Sequence, residues 1–345
     1  NYACSASLVF AFLLGCSAQA PSLSWEPVET GLDASLRGLS VVDSETVWIS
    51  GSGGGVAHTH DGGSTWTVED VSGAENLDFR DVESFQGGTA YIMSAGSGSL
   101  SRIYKTEDSG ESWALQHINP LEAGFFNGMA FWDQENGVVV GDPVDGTLFL
   151  LVTSDGGETW ERLAGPQVPE VMEGEFGFAA SGTNISTFGG NGLAVVSGGP
   201  AARVFRSTDR GETWMVASTP MAKGNASSGI FSIAFRDVST ALAVGGDYQN
   251  PGLMTGTIAR STDGGVTWEL APEPHGIGFR SGVAWRDDPE HPLWVAVGTP
   301  GSSFSMDDGQ TWVTFDSAPI NAVAFAGSFG WAAGPDGSVA RLRVE

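Results

Sequence analysis

Residues 59–66 read Thr-His-Asp-Gly-Gly-Ser-Thr-Trp, and five more copies of this motif follow along the 345-residue chain. The shared pattern is Ser/Thr-x-Asp-x-Gly-x-Ser/Thr-Trp. Its aspartates are Asp61, Asp108, Asp155, Asp209, Asp263 and Asp307. A motif that returns every 44 to 54 residues is typical of repeated supersecondary units that bury their apolar faces against neighbouring units. The repeat therefore predicts one closed body that fills nearly the whole chain.

Each repeated unit reads as four short strands joined by turns. In the first unit, apolar runs begin at Leu39, Val47, Val56 and Trp66, with the motif between the last two. The first strands of the other units are predicted to begin near Val82, Met129, Ala180, Ile233, Val283 and Val323. This pattern predicts an all-β fold built from four-stranded blades.

The first strands outnumber the motifs by one. The last unit, 322–344, supplies three strands and carries no motif. Residues 22–28, ahead of the first unit, read as a solitary fourth strand in which Trp25 takes the place of the motif tryptophan. We therefore predict a seven-bladed β-propeller whose last blade is closed by the N-terminal strand, because such closure leaves no open sheet edge.

The motif residues suit a tight hairpin between the third and fourth strands of a blade. Asp and Ser/Thr side chains accept hydrogen bonds from loop amides, glycine supplies positive φ, and tryptophan covers the seam between blades. Each loop brings one carboxylate, whereas a calcium ion takes roughly six to eight oxygen ligands. We therefore expect the six aspartates to be structural rather than calcium ligands.

Composition and motifs exclude several classes of function. The formal net charge is −26, and so acidic a surface repels nucleic-acid phosphates. The sequence holds no nucleophile elbow, phosphate-binding loop, His-Glu-x-x-His motif or cysteine-based metal cluster. His58 and His60 are interpreted as a surface pair, because no third metal ligand accompanies them. We expect no cofactor and no metal.

The first twenty residues resemble an export signal. Both cysteines lie within the first sixteen residues, and residues 6–14 form an apolar run of signal-peptide length that is too short to cross a bilayer. The run ends in Leu-Leu-Gly-Cys16, which resembles a bacterial lipobox; residues 18–20, Ala-Gln-Ala, offer an alternative secretion site. We expect 1–20 to be a lipoprotein signal truncated at its start, and 21–345 to be a propeller in the periplasm, at the outer membrane or secreted.

The repeated motif is the Asp-box, also called the BNR repeat. It resembles the repeats of sialidases, some glucan hydrolases, sortilin-type receptors and the photosystem II stability/assembly factor family. Seven units, closure by the chain's own ends, and the phrases at 36–40 and 79–82 make residues 22–345 most similar to the last family and its non-photosynthetic bacterial relatives. The resemblance implies a propeller that holds a segment of a partner protein at its channel mouth.

Arginines are predicted at one mouth of the central channel, which the first strand of every blade lines. Aligning the units on these strands brings to one level Arg37, Arg80, Asn127, Ser281 and Asn321, with Arg280 one residue away. Arginine presents a planar fork of donors suited to carboxylate or phosphate. We interpret the arginines either as an anion or acidic-peptide site or as partners of local acids such as Asp33, Asp78 and Asp81.

Loops on the same face carry further polar residues. The ligand-binding candidates are Arg37, Arg80, Arg280, Asn127, Asn321, Tyr248 and His275. Two well-placed carboxylates perform glycoside hydrolysis, so Asp142, Asp247 and Glu175 are weak catalytic candidates. Asp-Pro and Gly-Asp are equally ordinary in turns, where a carboxylate has no chemical role.

The sequence thus predicts an exported, acidic, monomeric propeller that acts as a protein-binding or assembly scaffold rather than as an enzyme. Its predicted partner is a protein or peptide segment with carboxylates. The alternatives are a sialidase-like or glucan-active glycoside hydrolase and a carbohydrate-binding propeller. Nucleic-acid binding is not expected, and membrane contact is expected only through a lipid anchor on Cys16.

Overall fold

The computed structural model describes residues 21–271 and 277–345. They form seven antiparallel sheets, which are the blades of a propeller. In six blades the four main strands follow one another along the chain, whereas the seventh combines strands from both ends. The predicted all-β, seven-bladed fold is confirmed. No helix in the described ranges is both long and apolar enough to cross a membrane.

The first strand of the chain, β1 (Leu23–Val28), belongs to the last blade. Blade 1 consists of β2 (Leu36–Val41), β3 (Val47–Gly51), β4 (Val56–Thr59) and β5 (Thr67–Val68). Blade 2 consists of β6 (Asp78–Ser84), β7 (Ala90–Ala95), β8 (Arg102–Thr106) and β9 (Ala114–Ile118). Blade 3 consists of β10 (Phe126–Phe131), β11 (Gly137–Val144), β12 (Thr147–Thr153) and β13 (Glu161–Arg162).

The remaining blades differ in their edges. Blade 4 consists of β14 (Ile185–Phe188), β15 (Gly192–Val196), β17 (Arg203–Ser207) and β18 (Met215–Ser218), while β16 (Gly198–Gly199) pairs with the next blade. Blade 5 consists of β19 (Asn225–Phe235), β20 (Ala241–Asp247), β21 (Ile258–Ser261) and β22 (Glu269–Leu270). Blade 6 consists of β23 (Gly282–Arg286), β24 (Leu293–Gly298), β25 (Gly301–Ser305) and β26 (Val313–Asp316). Blade 7 consists of β27 (Ala322–Ala326), β28 (Phe329–Ala333), β29 (Val339–Val344) and β1.

The two ends of the chain close the ring, as predicted. Strand β1 pairs antiparallel with β29 along its whole length. The indole Nε1 of Trp25 donates a hydrogen bond to Ser302 Oγ of blade 6 at 2.9 Å. Glu26 forms ion pairs with Arg341 and Arg343 of β29 at 2.9 and 2.6 Å. The N-terminal strand therefore removes the sheet edge that β29 would otherwise expose.

The core lies between neighbouring blades. The largest fully buried side chains include Trp48, Trp294 and Trp331. Trp48 of blade 1 packs in one cluster with Phe79 and Val82 of blade 2, and Trp331 of blade 7 packs with residues of blade 1. Full burial of a large apolar side chain contributes about 1.5–3 kcal/mol, so each blade depends on its neighbours for stability.

The six Asp-boxes share one hydrogen-bonding pattern. In the first, Asp61 Oδ1 accepts from the amide of Thr65 at 2.8 Å, and Oδ2 accepts from the Thr65 hydroxyl at 2.7 Å. The Thr59 hydroxyl donates to Asp61 and accepts from the Gly63 amide. In Asp61, Asp155 and Asp209 the pKa is lowered to about 2. The largest cause is the hydrogen bond that each carboxylate accepts from the hydroxyl of the threonine four residues later. Both oxygens of each carboxylate thus hold their own loop.

The linker between blades 3 and 4 differs from the prediction. Strand β14 begins at Ile185, whereas its start was predicted near Ala180. Residues 178–183, which we call the plug, precede β14 and bond to Arg37 of blade 1, Arg80 of blade 2 and Ser281 at the start of blade 6. They therefore lie across one mouth of the central channel. Gly182 in the plug has φ +73°, and a Cβ added there would collide with the Asp81 carboxylate. This linker is not part of the repeat, so the repeat pattern misplaces it.

The predicted surface pair of histidines is wrong for His58. Its ring is buried, stacks on Trp48 at 4.4 Å between ring centroids, and holds Nδ1 2.8 Å from Glu69 Oε1. Burial lowers the pKa of His58 to about 4 and raises the pKa of Glu69 to about 7. His60 is exposed, as expected. Strand β4 lies between two other strands and under a neighbouring blade, which buries the first histidine.

Candidate binding site at the channel mouth

A pocket of about 340 Å³ opens at the channel mouth that the plug crosses. We call it the mouth pocket. Its lining residues are Arg37, Arg80, Phe178, Ala179, Ala180, Phe231, Tyr248, Phe279, Ser281, Thr299 and Asn321. They come from the plug and from blades 1, 2, 5, 6 and 7. Because strands alternate in direction, the loops between third and fourth strands, which carry the Asp-boxes, lie on the opposite face.

The plug holds two of the predicted arginines side by side. Arg80 donates from Nη1 to the carbonyl of Ala179 at 2.7 Å. Arg37 donates from Nη1 to the next carbonyl, that of Ala180, at 3.1 Å. The plug is itself fixed to blade 6, because the Ser181 hydroxyl donates to the Ser281 carbonyl at 2.7 Å. Two guanidinium groups from different blades therefore share one rigid backbone support.

The charges around these two arginines do not balance. Arg80 forms an ion pair with Asp78 at 2.7 Å, so the interpretation as a partner of a local acid holds for this residue. Within the described residues, Arg37 has no carboxylate within 4.0 Å. Burial, and secondly the charge of Arg80, lower the pKa of Arg37. A bound anion would offset this repulsion between two cations that share one carboxylate.

Arg280 does not reach the mouth pocket. Its side chain is 1% exposed, donates to the Phe279 carbonyl at 2.9 Å and to Ser303 Oγ at 3.0 Å, and has its pKa lowered to about 10 by burial. It lies one residue out of line with Arg37 and Arg80. In an extended chain a shift of one residue turns the side chain to the other face, and the side chain of Phe279 faces the pocket instead.

The two predicted asparagines have different surroundings. Asn321 lines the mouth pocket, where its amide donates to the Leu36 carbonyl at 2.8 Å and ties blade 7 to blade 1. Asn127 is 1% exposed and does not line the pocket. Its amide donates to Asp142 Oδ1 at 2.9 Å, and Gly177, just before the plug, lies against it. The linker therefore covers Asn127, which the alignment of the repeated units predicted to lie at the mouth.

Aromatic rings form the side of the pocket away from the arginines. We call Phe178, Phe231, Tyr248 and Phe279 the aromatic wall. Phe178 of the plug stacks on Phe231 with ring centroids 3.8 Å apart, and Phe279 meets Phe231 edge to face at 4.8 Å. The three phenylalanines are nearly buried, whereas Tyr248 is 47% exposed. The mouth pocket thus has one cationic side and one aromatic side.

Asp247, a weak catalytic candidate, holds the loop that carries Tyr248. Its carboxylate accepts from the Ser227 hydroxyl at 2.6 Å, from the Gln249 amide at 3.0 Å and from the Asn250 side chain at 2.9 Å. The bonds from Ser227 and Asn250 lower the pKa of Asp247. A carboxylate that is this fully bonded anchors a turn and positions the tyrosine ring beside it.

Glu175, the second catalytic candidate, is an internal ion-pair partner. It is buried, pairs through both oxygens with Arg203, and accepts from the Ser197 hydroxyl and the Met172 amide. Burial would raise its pKa, but the bonds from Arg203 and Ser197 lower it on balance. A carboxyl group held ionised in this way is unsuited to the role of general acid.

Asp142, the third catalytic candidate, lies in a separate groove of about 630 Å³ beside the mouth pocket. Burial raises its pKa, and bonds from Asn127 and Gly177 partly oppose this. Glu175 also lines the groove but is bound to Arg203. Glycoside hydrolysis requires two cooperating carboxyl groups, and in this groove the partner of Asp142 is already paired.

Some predictions cannot be placed in the structure. His275 and Cys16 lie outside the described residues. The ranges 21–271 and 277–345 contain no group of three or more His, Cys, Asp or Glu side chains arranged to hold a metal ion.

Within the aromatic wall, Tyr248 was a candidate from the sequence, whereas the three phenylalanines and the two plug carbonyls were not. The phenylalanines and the plug alanines are apolar and belong to a linker or to positions that read as core. One available signal was the pair Phe279-Arg280, which repeats the Phe79-Arg80 pair of blade 2 one residue out of line. That offset exchanges which member of the pair faces the channel.

Fold and site together define an Asp-box β-propeller with a cationic and aromatic pocket at its channel mouth. The predicted resemblance is also confirmed: the family described as photosynthesis system II assembly factor YCF48 matches residues 17–124. That match includes Arg37, Arg80 and Asp78. A search of curated proteins found no match.

Solved structures extend the likeness to the whole propeller. YCF48 bound to a D1 peptide is 21% identical, with a TM-score of 0.66 over 94% of this chain and 99% of that chain. YCF48 from Cyanidioschyzon merolae is 18% identical, with a TM-score of 0.66 over 92% and 98%. The GH74 xyloglucanase from Xanthomonas campestris is 16% identical, with a TM-score of 0.61 over 92% of this chain and 53% of that chain. At these identities the likeness shows the fold alone.

Proposed function

We propose that this chain is a protein-binding scaffold that holds a carboxylate-bearing segment of a partner at the mouth pocket. The observation that carries the proposal is the pairing of Arg37 with Arg80. Two adjacent guanidinium groups share one carboxylate, Asp78, on a protein whose net charge is −26. Their planar donors suit a carboxylate. A structure of the similar protein YCF48 with a D1 peptide supports a peptide as the partner's form.

The geometry favours binding over glycoside hydrolysis. The carboxylate oxygens of Asp247 and Glu175 accept internal hydrogen bonds, and both residues have lowered pKa values. The mouth pocket presents donors and aromatic rings rather than two facing carboxyl groups. The likeness to a xyloglucanase is one of fold and carries no activity to this chain.

The test is calorimetric titration with a panel of blocked hexapeptides. Each contains one glutamate or a free terminal carboxylate and has a counterpart with glutamine or a terminal amide. We expect the carboxylate peptides to bind and their counterparts to bind at least about tenfold more weakly. Arg37→Ala is expected to weaken binding by about 10- to 100-fold, since it removes a desolvated charge partner.

Arg210→Ala is the matched control, because it removes an arginine of the Asp-box face that is about one-third exposed. Circular dichroism should show that all variants remain folded. The proposal fails if no carboxylate peptide binds the wild-type protein, or if Arg37→Ala and the double variant with Arg80→Ala bind as tightly as wild type.

We also propose that the protein is exported and anchored through a lipid on Cys16. The apolar run at 6–14 and the lipobox-like end of that run support this. Expression of the complete coding sequence in a bacterium with labelled palmitate tests it. Cys16→Ser should lose the label, whereas Cys4→Ser should keep it; label that persists in Cys16→Ser, or an unlabelled wild type, would reject the anchor.

A further inference from the structure

We propose that the mouth pocket recognises a carboxylate that lies next to an aromatic side chain, so that the arginines take the carboxylate and the aromatic wall takes the ring. This rests on the proposed function and names the ligand chemistry of the same site. The specificity would reside in the wall and above all in Tyr248, the one member of the wall with a largely exposed ring.

The pocket is two-sided because elements from distant parts of the chain meet there. Arg37 and Arg80 come from blades 1 and 2, while Phe231 and Tyr248 come from blade 5. The plug serves both sides: its carbonyls at 179 and 180 hold the guanidinium groups, and Phe178 stacks on Phe231. A ligand that reaches the arginines from solvent therefore meets the rings in the same cavity.

The exposed aromatic surface is supported rigidly. The ring of Tyr248 lies 6.2 and 6.4 Å, centroid to centroid, from Phe231 and Phe178, at steep interplanar angles. Its loop is fixed by the three hydrogen bonds to Asp247, and its amide donates to the Ser227 carbonyl at 3.2 Å. A fixed ring loses little conformational freedom when a ligand packs on it, so its contact area contributes efficiently to affinity.

The chemistry of the two sides selects the ligand class. An aromatic face also attracts cations, but the two neighbouring guanidinium groups repel a cationic ligand. An apolar ring edge carries no such penalty and prefers the offset or edge-to-face contacts that the wall already shows. The volume of about 340 Å³ is at the small end of ligand pockets, which suits one residue and its carboxylate rather than a folded domain.

The experiment compares four small probes by calorimetric titration. N-acetyl-phenylalanine carries a ring and a terminal carboxylate, and N-acetyl-aspartyl-phenylalaninamide carries a ring next to a side-chain carboxylate. N-acetylglycine lacks the ring, and N-acetyl-phenylalaninamide lacks the carboxylate. We expect one of the first two to bind about tenfold more tightly than either of the last two, and which one does so identifies a chain terminus or an acidic side chain as the source.

Variants locate the selectivity. Tyr248→Ala should weaken binding of the better ring-bearing probe by about tenfold and leave N-acetylglycine unchanged. Phe329→Ala is the matched control, because Phe329 is 48% exposed, close to the 47% of Tyr248, and lies on β28 rather than in the pocket. It should change neither affinity.

Equal affinity for N-acetylglycine and the ring-bearing probes would overturn this inference and leave the proposed function standing. The same holds if Tyr248→Ala keeps the full preference for the ring. Equal binding of N-acetyl-phenylalaninamide would show a site that reads only the ring, which also overturns it. If no probe and no hexapeptide with a carboxylate binds, both the inference and the proposed function fail.

Discussion

The two faces of this propeller are built by opposite means. On one face, six loops repeat one set of hydrogen bonds, and in Asp61, Asp155 and Asp209 these bonds lower the pKa to about 2. On the other face, a linker without counterpart in the repeat supplies the plug. Beneath the plug, burial raises the pKa of Asp81 to about 8, and farther along β6 burial also raises the pKa of Glu83.

The comparison separates residues that recur in every blade from residues that line the mouth pocket. A residue type that recurs at the same place in every blade serves the blade, because only the blade recurs. Arginine takes the aligned position in two of the seven blades, as Arg37 and Arg80, and Tyr248 and the plug have no counterpart in the repeat. The carboxylates that recur in the Asp-boxes are therefore structural. The features that suit a ligand are those that do not recur in every blade.

Removal of the buried ion pair beneath the mouth face should have the largest effect. Glu175→Ala leaves Arg203 unpaired, with a side chain only 12% exposed, and breaking such a pair costs about 3 kcal/mol or more. We expect this loss in the free energy of unfolding measured by urea denaturation. Glu173→Ala, an exposed neighbour, is the control and should change little. Comparable losses in the two variants would contradict the contrast.

The plug should tolerate a methyl group less well than the Asp-box face does. In Gly182→Ala, Cβ would meet the Asp81 carboxylate, which is itself fixed by the amides of Val82 and Met129 at 2.9 and 2.7 Å. With the strain of positive φ, we expect a loss of about 2 kcal/mol or more. Gly190→Ala has φ +82° but nothing within 4 Å.

The control, Gly190→Ala, should therefore lose only the free energy of the strained backbone, about 1 kcal/mol. Thermal midpoints of the two variants give the comparison. If Gly190→Ala is destabilised as much as Gly182→Ala, the plug is not packed against the channel as described, and the arginines lose their rigid support.

The structure shows which parts of these faces the sequence could predict. The Asp-box face follows from local chemistry, since each carboxylate bonds to residues within four positions of itself. Ring closure also follows, because a missing strand and a solitary strand complement each other. Arg37 and Arg80 both line the mouth pocket, on the face that the two-residue alternation of an extended chain predicts for them. Arg280 does not line it, because a single-residue offset reverses that alternation.

The plug could not be predicted, since its contacts are with residues far away in sequence. Ala179 and Ala180 act through their carbonyls, which no side-chain pattern reveals. Phe178 and Phe231 belong to stretches that read as ordinary core. The mouth pocket could therefore be identified only from the structure, although both of its arginines were candidates from the sequence.

A single Asp-box should matter less than the plug. Asp307→Ala removes hydrogen bonds from Ser305 at 2.9 Å and from the Thr311 amide and hydroxyl at 2.8 and 2.6 Å. Because the loop is open to solvent, we expect a loss of about 1 kcal/mol, as for other side-chain caps. Asp287→Ala, an exposed aspartate outside the boxes, is the control. A loss above that of Gly182→Ala would reverse the proposed order of the two faces.

The smallest expected effect has the opposite sign and depends on pH. Burial, and then the charge of Asp81, raise the pKa of Glu83 well above 4.5. The folded protein therefore binds more protons than the unfolded chain, and this pair costs stability as pH rises above the unfolded value. The Asp-box carboxylates behave in the reverse way: their contribution is present above pH 3.8 and is lost as pH falls toward about 2.

Glu83→Gln removes the group that must stay protonated, so it should stabilise the protein by about 0.5–1 kcal/mol at pH 8 and make little difference at pH 4. Urea denaturation at both values measures this, and Glu161→Gln on the exposed β13 serves as the control. A gain at pH 4 that equals the gain at pH 8 would mean that Glu83 is not held protonated by burial. The buried carboxyl groups of β6 and the Asp-boxes would then share one response to acid, and the contrast between them would rest on packing alone.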